Sequence, residues 1–124
     1  DWYAKPDAGA LIVSPAEEDL MEPHDAWADD MVLAEGLARY EEMVTEPVTR
    51  LLASWAGLRT FSPDRVLVIG PDVREPSFFW LAGQGGYGFQ TCPAASRLAA
   101  DLIGGRTPEL GADLVAALSP ARFG

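Results

Sequence analysis

The chain has 124 residues, with nineteen Asp and Glu against nine Lys and Arg, one His, one Cys and a net charge of −10 at pH 7. That length suits one small domain with a modest core, and the acidic balance argues against nucleic acid as a partner, because phosphate contacts need clustered Lys and Arg. The single Cys92 excludes an internal disulfide and fits a reducing compartment, so a cytoplasmic location is expected.

No apolar run reaches membrane-spanning length, and no charged stretch leads into an apolar one as in a signal peptide. The chain starts at Asp1 without an initiator Met, and Trp2-Tyr3-Ala4-Lys5 reads as a strand already under way. It is therefore expected to be the end of something larger. Residues 1–62 carry thirteen acids against Lys5, Arg39, Arg50 and Arg59, whereas residues 63–124 are nearly balanced. The acidic half reads as a solvated face that aids solubility.

Residues 2–5 and 10–14 flank Pro6-Asp7-Ala8-Gly9, which predicts a β-hairpin with a longer loop. Pro15 to Pro23 is acidic and irregular. A helix is predicted over 29–44, where Leu33, Leu37, Tyr40 and Val44 make one apolar stripe and Pro47 follows. Residues 48–61 are rich in β-favouring types and close at the turn Ser62-Pro63-Asp64. Val66-Leu67-Val68-Ile69 predicts a strand buried on both faces. Residues 71–76 form a loop and 78–82 the next strand. A helix is predicted over 90–103, stopped by Gly104-Gly105. Thr107, Pro108 and Glu109 supply a cap, a first-turn proline and a first-turn acid for a final helix to Leu118.

Between the 78–82 strand and the following helix stand four glycines in six positions, Gly83, Gly85, Gly86 and Gly88. Glycine clusters where the backbone takes positive φ or must approach another group closely. A strand breaking into glycines and opening a helix aims bare N–H groups and a positive dipole end at one point. The spacing Gly83-x-Gly85-x-x-Gly88 matches the dinucleotide fingerprint. That fingerprint also needs a second strand bearing an acid about 20 residues on. Here Gly104-Gly105 and another helix come instead. Three readings stay open on these residues: an independent dinucleotide unit, tight strand–helix packing, and close approach to a flavin supplied from elsewhere. His24 has no second ligand at metal-binding spacing, and Glu17-Glu18-Asp19 lacks the alternation and glycine turn of a calcium loop, so no metal is expected.

The ordered combination Trp55-Ala56-Gly57-Leu58-Arg59-Thr60-Phe61-Ser62-Pro63-Asp64, Val68-Ile69-Gly70-Pro71, the glycine stretch and Ser119-Pro120-Ala121-Arg122-Phe123 resembles the C-terminal portion of FAD-dependent amine and amino-acid oxidoreductases. These are the glycine oxidase, sarcosine oxidase and D-amino-acid oxidase group. The opening residues 3–13 are similar to that family's substrate-domain hairpin, so the resemblance covers nearly the whole chain. It implies FAD, bound without a covalent link and shared with an N-terminal dinucleotide-binding part that this chain lacks, on the same enzyme or a partner subunit. It implies that the chain alone is inactive. The implied reaction is oxidation of an amine, expected to be an amino acid of the glycine, sarcosine or D-amino-acid class, by hydride transfer to flavin N5.

The resemblance places Arg59 where the substrate carboxylate is bound, a role that suits a guanidinium because it meets a carboxylate with two hydrogen bonds. A structural arginine paired to a carboxylate is the alternative. Gln90 stands where sarcosine oxidase-like members carry a Lys, and Gly86 where some glycine oxidases carry an Arg, so the second grip on the substrate differs here. Gly57 stands where sarcosine oxidases have the cysteine bonded to the flavin. Gly57, Gly83, Gln84, Gly85, Gly86, Tyr87, Gly88 and Phe89 are expected at the cofactor, and Tyr87 also at the substrate or packed under the loop. Cys92 is expected to be a small buried group. Arg122 is either a structural anchor or a residue reaching the cofactor region.

The expected fold is α+β: an antiparallel or mixed sheet with a covering helix, plus a strand–glycine loop–helix module completing an FAD-binding domain that lies mostly outside the chain. Residues 1–69 are the expected substrate-domain part and 70–124 the C-terminal part of the FAD-binding domain. The competing reading is a non-enzymatic acidic α+β module that binds a ligand or partner.

Overall fold

The computed structural model describes residues 2–124. The architecture is α+β, with two separate two-stranded antiparallel sheets, three α-helices and a C-terminal 3-10 turn among the described residues. The chain divides into two compact units, the first ending at Leu58 and the second running from Arg59 to Gly124.

In the first unit, β1 (Tyr3–Asp7) pairs with β2 (Ala10–Ser14) in the register Tyr3↔Ser14 to Asp7↔Ala10. The connection is shorter than the expected longer loop. Pro6 and Asp7 continue the strand, because in a two-stranded ribbon a proline can turn its missing N–H outward. Only Ala8 and Gly9 remain to turn the chain, and both take positive φ, 46° and 84°. Two left-handed residues give the twist that a tight hairpin needs.

Helix α1 (Asp30–Glu41) begins at Asp29, whose Oδ1 accepts from the amides of Met31 and Val32 at 2.8 and 3.0 Å. This side-chain cap sets the start near the expected position. The helix ends before the expected 44, and Glu41 Oε1 instead accepts from the Val48 amide at 2.7 Å. α1 packs on β2 where Gly36 meets Pro15, leaving so little room that an added Cβ would stand 2.7 Å from Pro15 Cβ. Tyr40 is buried with its ring edge-to-face with Trp2, 5.1 Å between centroids.

The expected strand over 48–61 does not form, and these residues are irregular. β-propensity expresses packing on a pleated, half-buried surface. Leu51, Leu52, Trp55 and Leu58 are all exposed and have no such surface. The single sheet expected from 2–14 and 48–69 is thus replaced by two independent hairpins.

In the second unit, β3 (Val68–Pro71) pairs antiparallel with β4 (Phe79–Ala82), Ile69 opposite Leu81. β3 starts two residues later than expected, and only Ile69 and Gly70 are buried, since β4 is its sole partner among the described residues. The connecting loop is closed by Asp72. Its Oδ1 accepts from the Arg74 and Glu75 amides, and its Oδ2 accepts from Trp80 Nε1 at 2.9 Å.

Helix α2 (Gly88–Ile103) crosses β3 and seals the core. Ile69 and Leu98 are each 1% exposed, and Leu67, Phe79, Leu102, Val115 and Leu118 pack around them with Ala99. Each such side chain withdrawn from water contributes about 1.5–3 kcal/mol. α2 stops at Gly105, φ 63°, with the Arg106 amide bonding back to Asp101 O at 2.8 Å and the Gly105 amide to Leu102 O at 3.2 Å. This is the left-handed glycine stop expected there. Buried Asp101 accepts from Arg106 Nε at 2.9 Å and Arg97 Nε at 3.3 Å, and these cations hold its carboxyl below the usual range.

The last helix, α3 (Ala112–Leu118), starts later than expected. Thr107 and Pro108 do not cap it; Glu109 pairs with Arg97 and Leu110 packs on the core. These tertiary contacts override the local start signal. The 3-10 turn Pro120–Phe123 closes the unit, with Ser119 Oγ accepting from the Ala121 amide.

Replacing Leu98 by Ala is expected to lower unfolding stability by about 2–5 kcal/mol, measured by denaturant titration, because it opens the centre of this core. Ala8→Asn is expected to raise it by up to about 1 kcal/mol, since Asn tolerates the left-handed region that Ala resists. Acid should act in a defined window. Asp64, Asp72 and Asp101 all have their carboxyls held below the ordinary value of 3.8. A lowered folded pKa gives stability that is present above the unfolded pKa and lost as pH falls through the folded one. The melting temperature should therefore be insensitive to these groups above about pH 5 and fall below about pH 4, with a shallower acid slope in Asp64→Asn.

Candidate functional site

The glycine loop leaves β4 at Gly83, φ 71°, and turns again at Gly85, φ 52°. Both angles favour glycine, as the sequence pattern implies. The Tyr87 amide bonds Gln84 O at 2.9 Å, and the Gly85 amide bonds Thr60 O at 2.9 Å. The second bond lays residues 59–61 along the loop.

The missing side chains have definite consequences. A Cβ at Gly85 would stand 2.7 Å from Phe61 Cδ1, so the Phe61 ring occupies that space. A Cβ at Gly83 would come within 3.5 Å of the Ser62 amide nitrogen and 3.6 Å of Val66 O, and one at Gly88 within 3.3 Å of Gln84 Cβ. At Gly86 the neighbour is Arg59, with Nη1 3.4 Å and Cζ 3.8 Å from the Cβ position. The chain's own atoms thus take up the room at Gly85 and crowd Gly88, Gly83 is glycine for its left-handed φ, and Gly86 carries the Arg59 guanidinium.

Arg59 is half-buried and makes no ion pair within its unit; the pairs there join Arg97 and Arg106 to Asp101, Arg97 to Glu109 and Arg122 to Asp64. Tyr87 is the N-cap of α2 and gives no side-chain cap, so the first amides of the helix are not closed by a side chain. Its carbonyl accepts from Thr91 Oγ1 at 2.6 Å. Phe89, 97% exposed, and exposed Gln90 stand on this first turn. An unmatched guanidinium beside uncapped helix amides forms a region of positive potential suited to an anionic group.

The structure therefore brings Arg59 together with Gly85, Gly86 and the loop that carries Gln84, Tyr87 and Gly88. Gly57 belongs to the other unit, where a Cβ would meet nothing within 4 Å. Cys92 is exposed, contrary to the expected small buried group: it shares a face of α2 with Ala95 and Ala99, but it lies nearer the helix start than the residues that reach the core, which run from Ala95 to Leu102. His24 Nδ1 lies 2.7 Å from Glu22 O, and no group of three potential metal ligands exists among the described residues.

Arg122 is an anchor. Its Nε donates to Asp64 Oδ2 at 2.7 Å, Nη2 to Asp64 Oδ1 at 3.1 Å and Val66 O at 2.7 Å, and Nη1 to Leu118 O and Ser119 O at 3.0 and 3.1 Å. All five guanidinium N–H groups are engaged. This ion pair lowers the Asp64 carboxyl far below its ordinary range. Sequence reasoning places Phe61, Ser62 and Asp64 in the family-like run and reads Ser62-Pro63-Asp64 as a turn, but it gives none of them a role at the site. The available signal is the turn-forming Ser62-Pro63-Asp64 upstream of a terminal arginine, but nothing in the chain order pairs positions 58 residues apart.

The geometry agrees with the comparisons. D-amino acid dehydrogenase of Xanthobacter autotrophicus is 39% identical over 69 residues, 56% of this chain and 15% of that protein. The Methylobacterium nodulans D-amino acid dehydrogenase is 38% identical over the same length, and that of Rhizobium johnstonii 40% over 58 residues, 47% of this chain and 14% of that protein. In these alignments the chain matches only about a seventh of each relative's length. A family model described as FAD dependent oxidoreductase matches residues 1–102. With most of its length inside that match, the chain belongs to the DAO family of FAD-dependent oxidoreductases.

Proposed function

We propose that the chain is the C-terminal portion of a longer FAD-dependent enzyme that oxidises an amino acid, with D-amino acids as the favoured class. The observation that carries this reading is the half-buried, unpaired Arg59 guanidinium set 3.4 Å from the Cβ position of Gly86. A cation held there without an acid partner needs an anion, and the amino-acid carboxylate is one of matching shape. The structural alternative for Arg59 requires a carboxylate that its unit does not supply. The names of the relatives favour the D-amino-acid class over glycine or sarcosine.

Two features support a larger whole. Both sheets have only two strands, a size that is marginal without added cover. The accessible surface is 9292 Å², whereas even two separate compact bodies of half this mass would together expose about 7,800 Å². The excess is rich in large apolar side chains, including Leu20, Trp27, Met43, Trp55, Phe89 and Ile103. Such surface is normally covered by further protein.

FAD, when bound, accepts a hydride equivalent from the substrate α-carbon. In this reading Arg59 fixes the substrate carboxylate, and Gln90 adds a neutral hydrogen bond in place of a second cation. Of the loop, Gly86, Tyr87 and the first amides of α2 offer main chain to the cofactor. Gly85 serves it indirectly, by admitting Phe61 close to the loop, and Gly83 by its left-handed turn. The positive end of α2 favours negative charge on the reduced cofactor. Glycine at position 57 offers no atom for a covalent link, so FAD is not bonded to the protein through that position. The substrate-side part then comprises the hairpin and α1, and the cofactor-side part the glycine loop with α2. Neither the cofactor nor turnover is expected with this chain alone.

In the full-length enzyme, Arg59→Ala should raise KM for a D-amino acid by about 10- to 100-fold, the worth of one or two hydrogen bonds to a charged group. Arg59→Lys should restore only part of it, because an ammonium cannot make the two-pronged contact. Steady-state kinetics check both, and wild-type KM in the two variants would remove Arg59 from the substrate site.

A further inference from the structure

We propose that Asp64 and Arg122 are positioning residues for Arg59: the C-terminal turn sets, through the 62–66 turn, where the substrate-binding guanidinium stands over the glycine loop. This rests on the carboxylate role proposed above for Arg59.

The contacts form an unbroken series. Arg122, in the 3-10 turn, grips Asp64 with Nε and Nη2 and the Val66 carbonyl with Nη2. Asp64 Oδ1 in turn accepts from the Val66 amide at 3.1 Å, and the Ser62 hydroxyl stands 2.8 Å from it and 2.6 Å from Val66 O. The Arg65 amide bonds Ser62 O at 3.0 Å, closing the turn. Arg65 holds a left-handed φ of 61°, a conformation that a non-glycine residue keeps only when its neighbours hold it. This turn abuts the loop directly: Ser62 and Val66 lie within van der Waals contact of a Cβ position at Gly83.

From the turn the chain runs back through Phe61, packed on Gly85, and Thr60, bonded to the Gly85 amide, to Arg59 at Gly86. Residues 59–61 belong to no helix or strand, so no regular hydrogen-bond ladder fixes them. The turn at one end, the Thr60–Gly85 bond, and Phe61, packed on Gly85 with Arg65 stacked on its ring, hold Arg59 in register. A bidentate guanidinium–carboxylate contact loses most of its value with a displacement of about 1 Å. Loosening the turn therefore weakens the hold on the carboxylate while leaving the glycine loop and α2 in place.

The test is a double-mutant cycle in the flavin-loaded full-length enzyme, with D-alanine as substrate and Asp64→Asn and Arg59→Ala singly and together. Asp64→Asn alone should raise KM about tenfold with kcat changed less than about twofold and the bound-flavin absorbance spectrum unaltered. In the Arg59→Ala background the same change should raise KM less than about twofold, because the group it positions is gone. Equal KM effects in both backgrounds, or no effect of Asp64→Asn, would overturn the positioning role while leaving Arg59 at the substrate. An Arg59→Ala enzyme with wild-type KM would overturn both ideas together. Should Asp64→Asn fail to fold, Ser62→Ala takes its place in the cycle, with a smaller KM rise that again vanishes without Arg59. An additive Ser62→Ala effect counts against the proposal as an additive Asp64 effect does.

Discussion

The C-terminal turn is tied to the segment entering β3 by one contact between distant parts of the chain, the Arg122–Asp64 pair. An exposed ion pair contributes little by itself. This one differs in geometry: the Arg122 side chain is mostly shielded, the contact is two-pronged, and the remaining donors hold three backbone carbonyls. Those carbonyls belong to the end of α3, to Ser119 and to the segment entering β3. One guanidinium therefore ties the C-terminal turn to the strand that carries Ile69, and the core around Ile69 and Leu98 closes between them. The stacking of Arg122 on Phe123, 4.2 Å from its ring centroid, keeps the side chain extended for this task.

The same connection gives the glycines their meaning. Gly85 has no side chain, which lets Phe61 pack on the loop, and its left-handed φ, like that of Gly83, turns the chain. Of the readings open at the sequence level, tight packing accounts for Gly85. Gly86, with the opening of α2, remains the position from which bare main chain and Arg59 face outward together. The independent dinucleotide unit fails on topology, because after α2 come α3 and a 3-10 turn where that unit needs a strand.

What the sequence made legible follows from the range of the interactions involved. The capped start of α1, the glycine stop of α2 and the positive-φ loop are set by neighbours within a few residues, and such signals can be read locally. The strand over 48–61 could not be read correctly, because Leu51, Leu52 and Trp55 have β-favouring side chains but no pleated surface to pack on. The start of α3 was misplaced for a related reason: Glu109 and Leu110 answer to Arg97 and the core, not to the cap signal at Thr107. At the site, the order of motifs pointed to Arg59 and the glycines, but the partners that hold them, Phe61 and Asp64, have no local signature. The exposure of Cys92 was invisible as well: it shares a helix face with Ala95 and Ala99, and its burial depends on how far along α2 the core extends.

Charge distribution sharpens the case for an anion at Arg59. Residues 1–58 hold thirteen acids against Lys5, Arg39 and Arg50, whereas residues 59–124 hold six acids and six arginines. In that balanced unit Arg97, Arg106 and Arg122 are matched by Asp101, Glu109 and Asp64. Matched pairs are nearly field-free beyond a Debye length of about 8–10 Å at physiological salt. Around the glycine loop the local charges are Arg59, Arg65 stacked on the Phe61 ring, and the uncapped start of α2. Leaving a half-buried arginine without an acid is costly to the isolated unit, because its partial desolvation goes uncompensated. On the role proposed for Arg59, a substrate carboxylate would remove that cost on binding, whereas an acid side chain in its place would have removed it permanently and closed the site.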